Sequence, residues 1–199
     1  MTSIKFSHDY FKIPKRKGKG MDIKLNLGCG KDYRKGWLNV DRRKEVNADQ
    51  YVDLSKYQWD FPSNTFDFIY ASHIIEHLPD KVKSINEIWR IAKPGAIVHI
   101  RCPHFSTRAA FTNPEHKHFF GYDLFRYFSP TNEMGENQGK AKFRIIKTRL
   151  IWNAAPNWKL DLLGFLPNML AVLRPAIAER FCYLLGGYEE VSWYLEVVK

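Results

Sequence analysis

A strand–helix–strand pattern in the middle of the chain limits the fold more than any other feature. Residues 66–71 are almost continuously apolar, which is typical of a strand buried on both faces of a sheet. Residues 79–93 follow with apolar positions at helical spacing, and Pro94-Gly95 is predicted to end that helix before a second apolar strand at 96–101. Short connections of this kind predict parallel strands.

Further strands are predicted on both sides of this unit. Residues 23–27, 37–40 and 51–52 have the character of short strands, and 143–152 and 191–198 are predicted to be the last two. The predicted fold class is therefore α/β, with a doubly wound, mostly parallel sheet. Because so few residues separate the first two strands, the first crossover must be unusually short.

The chain is predicted to be one domain, residues 21–199, preceded by a basic tail at 1–20. Its 199 residues are 45% hydrophobic, which is enough for a core and excludes a disordered chain. The tail holds six basic side chains and one acidic one, a net +5 out of the formal +10. Such a tail is either a solvated leader or a contact for nucleic acid, anionic lipid or a phosphorylated substrate.

Cysteine usage and the start of the chain predict a cytoplasmic protein. The three cysteines are odd in number and lack C-x-x-C spacing, which argues against a disulfide framework or a zinc ribbon. The basic N-terminus is not followed by an apolar segment, so no signal peptide is predicted. These cysteines are Cys29, Cys102 and Cys182.

Two segments are predicted to form the substrate side of the domain. Residues 102–141 are loops rich in aromatic residues and histidine, and residues 156–187 are an apolar, helical insertion broken at Pro167 and Pro175. The uncharged apolar stretch there is far shorter than the ~20 residues of a membrane span. We interpret 156–187 as a lid, a dimer face or an element that contacts a membrane surface.

The first predicted strand ends in a glycine turn, Gly28-Cys29-Gly30. In an open parallel sheet, ligands bind at the carboxyl ends of the strands, and glycine lets the backbone approach them closely. A dinucleotide site is disfavoured, because the third fingerprint position is Tyr33 and the acid Asp41 comes thirteen residues after Gly28, whereas the fingerprint places it ~20 residues on.

Four blocks, taken in order and spacing, resemble the Rossmann-like S-adenosylmethionine-dependent methyltransferases. The resemblance is strongest to the type-11 methyltransferase domain, and it covers roughly residues 23–102. The blocks are Leu25-Asn26-Leu27-Gly28-Cys29-Gly30, Asn39-Val40-Asp41, residues 66–78, which end in Ser72-His73-Ile74-Ile75-Glu76-His77-Leu78, and residues 87–95. This resemblance implies S-adenosylmethionine as the cofactor and methyl transfer as the reaction.

The resemblance also implies roles for residues at the first two strand ends. The backbone of Gly28-Cys29-Gly30 would pack against the methionine and ribose parts of the cofactor. Asp41 would accept hydrogen bonds from the ribose hydroxyls, as suits a group that is only an acceptor. Asn26 and Asp32 depart from the family pattern, in which an acid and a third glycine are usual, and this puts some cofactor contacts in doubt.

The later strand ends are assigned in the same way. The resemblance implies that Asp53, with Leu54, lies near the adenine, and that Ser72 and His73 border the sulfonium. Residues 73–77 also spell H-x-x-E-H, a pattern of some zinc proteases. Because it follows a buried strand in the methyltransferase arrangement, we predict neither a metal site nor protease activity.

Histidines are the candidate bases for an oxygen or amine acceptor, because imidazole titrates near neutrality. His104 lies closest in sequence to the end of the fifth strand and is the preferred base, followed by His116 and His118. The alternative for each is a buried, hydrogen-bonded histidine packed among the aromatic residues of this segment.

The sequence thus predicts methyl transfer to a hydroxyl or amine of a small, lipid-linked or glycan-linked molecule. Two alternatives remain open at this stage. The basic tail favours an RNA methyltransferase, and a catalytically inactive, cofactor-binding subunit would show the same motifs.

Overall fold

One seven-stranded sheet forms the centre of the computed structural model, which describes residues 22–131, 134, 139–152, 165–185 and 187–199. The order is β3-β2-β1-β4-β5-β7-β6; β1 to β5 are parallel, and β7 runs antiparallel to both β5 and β6. This topology confirms the predicted fold class. The strands are β1 (Lys24–Leu27), β2 (Leu38–Asp41), β3 (Gln50–Tyr51), β4 (Phe66–Ser72), β5 (Ala92–Pro103), β6 (Lys142–Ile151) and β7 (Glu190–Val198).

Four α-helices lie in the described parts of the chain. The tail predicted at 1–20 lies outside the described residues, as does part of 156–187. The remainder of 156–187 is helical, and 102–141 contains one short helix and a one-turn helix. The helices are α1 (Lys81–Ile91), α2 (Arg108–Thr112), α3 (Phe165–Leu173) and α4 (Pro175–Arg180); one-turn 3₁₀ helices occupy Ile75–His77, Leu124–Phe128 and Cys182–Leu185.

Helix α1 connects β4 to β5 and covers one face of the sheet. The Asp80 side chain accepts a hydrogen bond from the Lys83 backbone N–H at 3.0 Å and so begins the helix. Its buried face includes Ile85 and Ile88. The predicted end was wrong, because the helix stops at Ile91 and Pro94-Gly95 lies inside β5, where Gly95 adopts a φ of +67°.

No helix occupies the first crossover, as the short spacing predicted. The amide of Asn26 donates to the Asp32 carbonyl at 2.7 Å and to Asn39 Oδ1 at 3.0 Å. The amide of Asn39 in turn donates to the carbonyls of Arg34 and Trp37, at 3.0 Å each. Asn26 therefore braces this turn, which gives a structural reason for an amide where the family usually has an acid.

Side chains take the place of helices on the opposite face of the sheet. Trp37 packs edge-on against Phe68 at 5.2 Å, and the Arg34 guanidinium lies 3.9 Å from the centre of the Tyr70 ring. Further along this face, the His99 ring stacks on Tyr194 at 3.9 Å, and Nε2 of His99 lies 2.9 Å from Ser192 Oγ. Burial, assisted by nearby arginines, lowers the pKa of His99 to about 3, so its ring is neutral at pH 7.

The described part of residues 102–141 packs aromatic side chains against the last strands. Phe125 contacts Phe143 of β6 and Trp193 of β7 edge-on, at 5.7 and 5.2 Å. By contrast, the helices at 165–185 expose large apolar side chains, among them Val172 and Leu184, which are 81% and 82% exposed. None of the described helices has both the length and the apolar character needed to cross a membrane.

Candidate cofactor and acceptor site

The glycine turn and Asp41 meet at the carboxyl ends of β1 and β2. Gly28 and Gly30 adopt φ angles of +63° and +52°, a backbone region that favours glycine. The Gly30 N–H donates to Asp41 Oδ2 at 2.9 Å. A Cβ on Gly28 would lie 2.6 Å from Ile74 Cγ1, so the turn packs directly on the segment that follows β4.

Asp41 is a buried carboxylate held by donors from the turn after β1 and from the loop that follows Asp41 itself. Besides Gly30, the backbone N–H of Arg43 donates to Oδ1 at 2.9 Å, and its guanidinium Nε does so at 3.2 Å. Burial opposes ionisation, but these hydrogen bonds outweigh it and lower the pKa of the Asp41 carboxyl. Sequence reasoning missed Arg43, although the basic pair two residues after the strand end was a usable signal.

Asp53 reaches the same edge of the sheet, whereas Leu54 does not line it. Tyr51 pairs in register with Asp41, so Asp53 follows two residues beyond the neighbouring strand end. Oδ1 of Asp53 accepts hydrogen bonds from the backbone N–H and the hydroxyl of Ser55, at 3.1 and 2.6 Å. The Leu54 side chain is buried in the core.

Ser72 is the last residue of β4, and His73 follows it in a left-handed conformation, with a φ of +53°. Nε2 of His73 lies 2.9 Å from Glu190 Oε1, and Nδ1 lies 3.3 Å from Glu76 Oε1. Burial disfavours the charged ring, but the two carboxylates outweigh it and raise the pKa of His73 to about 9. His73 is therefore an imidazolium at neutral pH.

Glu190 links this histidine to β5, and sequence reasoning missed it. The residue is buried at the start of β7, and Oε2 accepts from Arg101 Nε at 3.1 Å and also from Nη2. The cluster holds two cations, His73 and Arg101, and two carboxylates, Glu190 and Glu76. These charges balance, which limits the cost of burying them. An acidic pair at the start of an apolar strand was the available signal.

His104 is fully buried between two polar side chains. Its Nε2 lies 3.0 Å from Glu179 Oε1, and its Nδ1 lies 2.7 Å from Ser106 Oγ. Because an ionised carboxylate can only accept, Nε2 is assigned as the donor to Glu179, and the Ser106 backbone N–H, 3.3 Å from Nδ1, assigns Nδ1 as an acceptor. Glu179 belongs to α4, so this contact ties the end of β5 to the helical segment.

His116 and His118 have surroundings that differ from those of His104. Nδ1 of His116 lies 3.0 Å from the Ala110 carbonyl, and the ring packs edge-on against His77 at 4.8 Å. Burial, with a contribution from Lys81, lowers the pKa of His118. The three predicted histidines therefore have separate sets of partners among the described residues.

The comparison with protein families matches residues 25–100 to the model described as a methyltransferase domain. Residues 25–100, about two fifths of the chain, are therefore similar to the methyltransferase domain family. The matched region runs from β1 through most of β5 and therefore contains the glycine turn, Asp41, Asp53 and His73.

Relatives and solved structures agree with this assignment. The methyltransferase domain is 31% identical over 70 residues to a demethylmenaquinone methyltransferase of Listeria monocytogenes, covering 33% of this chain and 30% of that protein. It is 31% identical over 109 residues to a sterol 24-C-methyltransferase of Eremothecium gossypii, covering 54% of this chain and 24% of that protein. The chain thus spans less than a third of the length of either relative.

The fold is shared with solved methyltransferase structures. A crystal structure of an S-adenosylmethionine-dependent methyltransferase from Archaeoglobus fulgidus superposes with a TM-score of 0.56 at 16% identity, covering 89% of this chain and 87% of that one. Identity this low supports the class I methyltransferase fold alone, because one fold can carry many activities.

Proposed function

We propose that the protein is an S-adenosylmethionine-dependent methyltransferase. The observation that carries the proposal is the meeting of the glycine turn with the ionised Asp41 at the carboxyl edge of the sheet, where Gly30 N–H lies 2.9 Å from Asp41 Oδ2. A glycine backbone that a ligand can approach closely therefore lies beside a carboxylate, which can only accept hydrogen bonds. A ribose, whose two hydroxyls can donate, requires such a pairing.

The residues at this edge fit the cofactor if the Arg43 side chain moves. An ionised carboxylate offers about four acceptor positions. The backbone N–H groups of Gly30 and Arg43 occupy one on each oxygen of Asp41, and the Arg43 guanidinium takes a second on each, through Nε at 3.2 Å and Nη2 at 3.5 Å. Since the Arg43 side chain is 56% exposed, it can turn into solvent and free these positions for the ribose hydroxyls. The bound sulfonium supplies an activated methyl group.

The protein's own task is then to orient the acceptor and to handle its proton. His73 is already protonated at neutral pH and paired with Glu190, so we assign it a positioning role beside the sulfonium. We propose His104 as the base, with Glu179 fixing its tautomer and the partly exposed Ser106 hydroxyl connecting Nδ1 to the acceptor. Replacing His104 by Gln is expected to slow methyl transfer to a lipid or glycan extract while leaving cofactor affinity unchanged. His116 and His118 remain the alternatives.

A hydroxyl or amine on a small, lipid-linked or glycan-linked molecule is the proposed acceptor. The support is the helical segment 165–185, which contacts His104 through Glu179 and exposes the apolar side chains of Val172, Leu173 and Leu184. The names of the two curated relatives, which refer to demethylmenaquinone and a sterol, point to lipid acceptors in related proteins.

Cofactor binding is tested by calorimetry with S-adenosylhomocysteine and the full chain. Replacing Asp41 by Asn is expected to weaken binding about 10- to 100-fold, because hydrogen bonds to a charged group contribute a free energy of that size to affinity. The matched control is the same substitution at Asp60, an exposed aspartate on the loop after Trp59, which should leave affinity unchanged. Equal affinities of the two folded variants would refute the assignment.

A further inference from the structure

Three side chains of metal-binding type, none of which is the preferred base His104, meet beside the end of β4. Glu76 and His77 lie on the one-turn helix after β4, and His116 lies on the loop after α2. One potential ligand atom from each lies within 4.8 Å of those of the other two. The Lys117 N–H donates to the Glu76 carbonyl at 2.7 Å, so the two segments are joined through their backbones.

Glu76 is a fully buried carboxylate that lacks hydrogen bonds. Neither of its side-chain oxygens has a hydrogen-bond partner among the described residues. His73 Nδ1, 3.3 Å from Oε1, is at ion-pair distance but without hydrogen-bonding geometry, and the Cys102 thiol, a weak donor, is also near. A buried charge in such surroundings is costly unless it is paired and hydrogen-bonded or binds a metal.

Both histidines present a nitrogen lone pair. Because the partner of His116 Nδ1 is the Ala110 carbonyl, which can only accept, Nδ1 carries the proton and Nε2 carries the lone pair. A ring N–H donated to a backbone carbonyl is a common way to orient metal-binding histidines. Nδ1 of His77 is buried and has no hydrogen-bond partner in the described part of the chain. The Glu115 carboxylate oxygen Oε2 lies 3.9 Å from this nitrogen, which is beyond hydrogen-bond distance.

We propose that Glu76, His77 and His116 bind one divalent transition-metal ion, and that zinc is the best match. Two imidazole nitrogens and one carboxylate oxygen form a zinc ligand set, whereas magnesium and calcium prefer oxygen ligands alone. Tetrahedral ligands at zinc lie about 3.4 Å apart, so the three side chains must close in by roughly 1 Å. Three protein ligands leave a fourth position for water or an acceptor oxygen.

The sequence-based prediction of no metal rested on the position of residues 73–77 after a buried strand, in the methyltransferase arrangement. The structure adds a third candidate ligand, His116, which lies 39 residues after His77 in the chain. His73, the first histidine of the H-x-x-E-H pattern, instead forms a hydrogen bond with Glu190. The proposed set is therefore different from the protease pattern, and it does not depend on the methyl-transfer proposal.

The test is calorimetric titration of the untagged, chelator-treated full chain with Zn²⁺ alone. One equivalent should bind, and His77→Ala and His116→Ala should each weaken binding by at least about 100-fold. His118→Ala, a histidine on the same loop outside the set, is the matched control and should retain wild-type affinity. Substitution with Co²⁺ should give the visible absorption of a tetrahedral site in the wild type and in the control only.

Two results would overturn the metal site. One is the absence of one-to-one Zn²⁺ binding to the folded wild-type chain. The other is binding that survives unchanged in both His77→Ala and His116→Ala. Because both side chains are partly exposed, these variants should fold, and circular dichroism of each checks that they do.

Discussion

Two proposed regions of the site are built by contacts of different range. The cofactor edge is formed by residues 26–55 at the ends of β1 to β3, and the acceptor side is formed by residues 72–77, 101–118, 179–185 and 187–190. Gly30 and Asp41 are 11 residues apart in the chain, whereas His73 and Glu190 are 117 apart and His104 and Glu179 are 75 apart. The first region is organised by strand order and turns. The second exists only when distant segments have folded onto the sheet.

The two regions also differ in how their charges are held. Asp41 accepts backbone hydrogen bonds from two neighbouring turns and pairs with one exposed arginine. The acceptor side instead buries Glu190 between His73 and Arg101, so each charge depends on partners brought by another element. Removing a single charge should therefore cost far more on the acceptor side than at the cofactor edge.

The largest expected effect is the loss of Glu190. Glu190→Gln leaves His73 and Arg101 without their shared carboxylate, and we expect the free energy of unfolding to fall by about 3–5 kcal/mol. Urea denaturation measures this loss. The matched control is Glu196→Gln on the same strand, where Glu196 pairs with Arg144 at 2.8 Å at a more exposed position, and a loss under about 1 kcal/mol is expected.

A double substitution measures the interaction of Arg101 with Glu190 separately from the contacts of each with its surroundings. Replacing both Arg101 and Glu190 by Gln should cost less than the sum of the single replacements, because the pair is removed together. If Glu190→Gln is no more costly than Glu196→Gln, the contrast between the two regions is wrong.

Sequence reasoning succeeded where the contacts are local. The mostly parallel sheet, the short crossover, and the approach of Gly30 to Asp41 follow from apolar runs and from the spacing of turn residues, which constrain the backbone directly. It failed where a partner lies far along the chain. The residues around His73 and His104 in the sequence do not indicate that Glu190 and Glu179 are their partners. Such pairs form only in the folded sheet and are not determined by neighbouring residues.

Local rules also have limits within the cofactor edge and around α1. Pro94-Gly95 was a sound signal for a helix end, but the strand pairing of β5 with β4 extended over it and the helix stopped earlier. Arg43 was overlooked because an exposed basic pair after a strand usually has no specific role. Its contact with Asp41 depends on a loop conformation that spacing alone does not determine.

The next effect concerns pH and the sheet that joins the two regions. The unfolded chain takes up a proton on His99 as the pH falls below about 6.5, whereas the folded chain resists it down to a pKa of about 3. The contribution of His99 to stability is therefore complete above pH 6.5 and is lost as the pH falls towards 3. Between pH 7.5 and 5.5 we expect a loss of about 1.4 kcal/mol.

His99→Gln tests this assignment. Urea denaturation of the wild type and the variant at both pH values gives the change in the free energy of unfolding with pH for each protein. Subtracting one change from the other removes the contribution of the groups common to both. The variant should lose about 1.4 kcal/mol less than the wild type over this interval. Parallel pH dependences would show that His99 is protonated in the folded protein or exposed to solvent, against the burial seen beside Tyr194.

The smallest expected effect is at Arg43, and it tests how the cofactor edge receives its ligand. Its guanidinium takes one acceptor position on each oxygen of Asp41, and it is an exposed ion pair worth about 0.2–1 kcal/mol. Arg43→Ala removes this competition and one positive charge, so S-adenosylhomocysteine should bind about two- to fivefold more tightly in calorimetry. Lys44→Ala, which removes a charge at the next, exposed position, should leave affinity unchanged. Weaker binding by Arg43→Ala would mean that the arginine contacts the ligand itself. The proposal that Arg43 competes with the ribose hydroxyls for the Asp41 carboxylate would then be wrong.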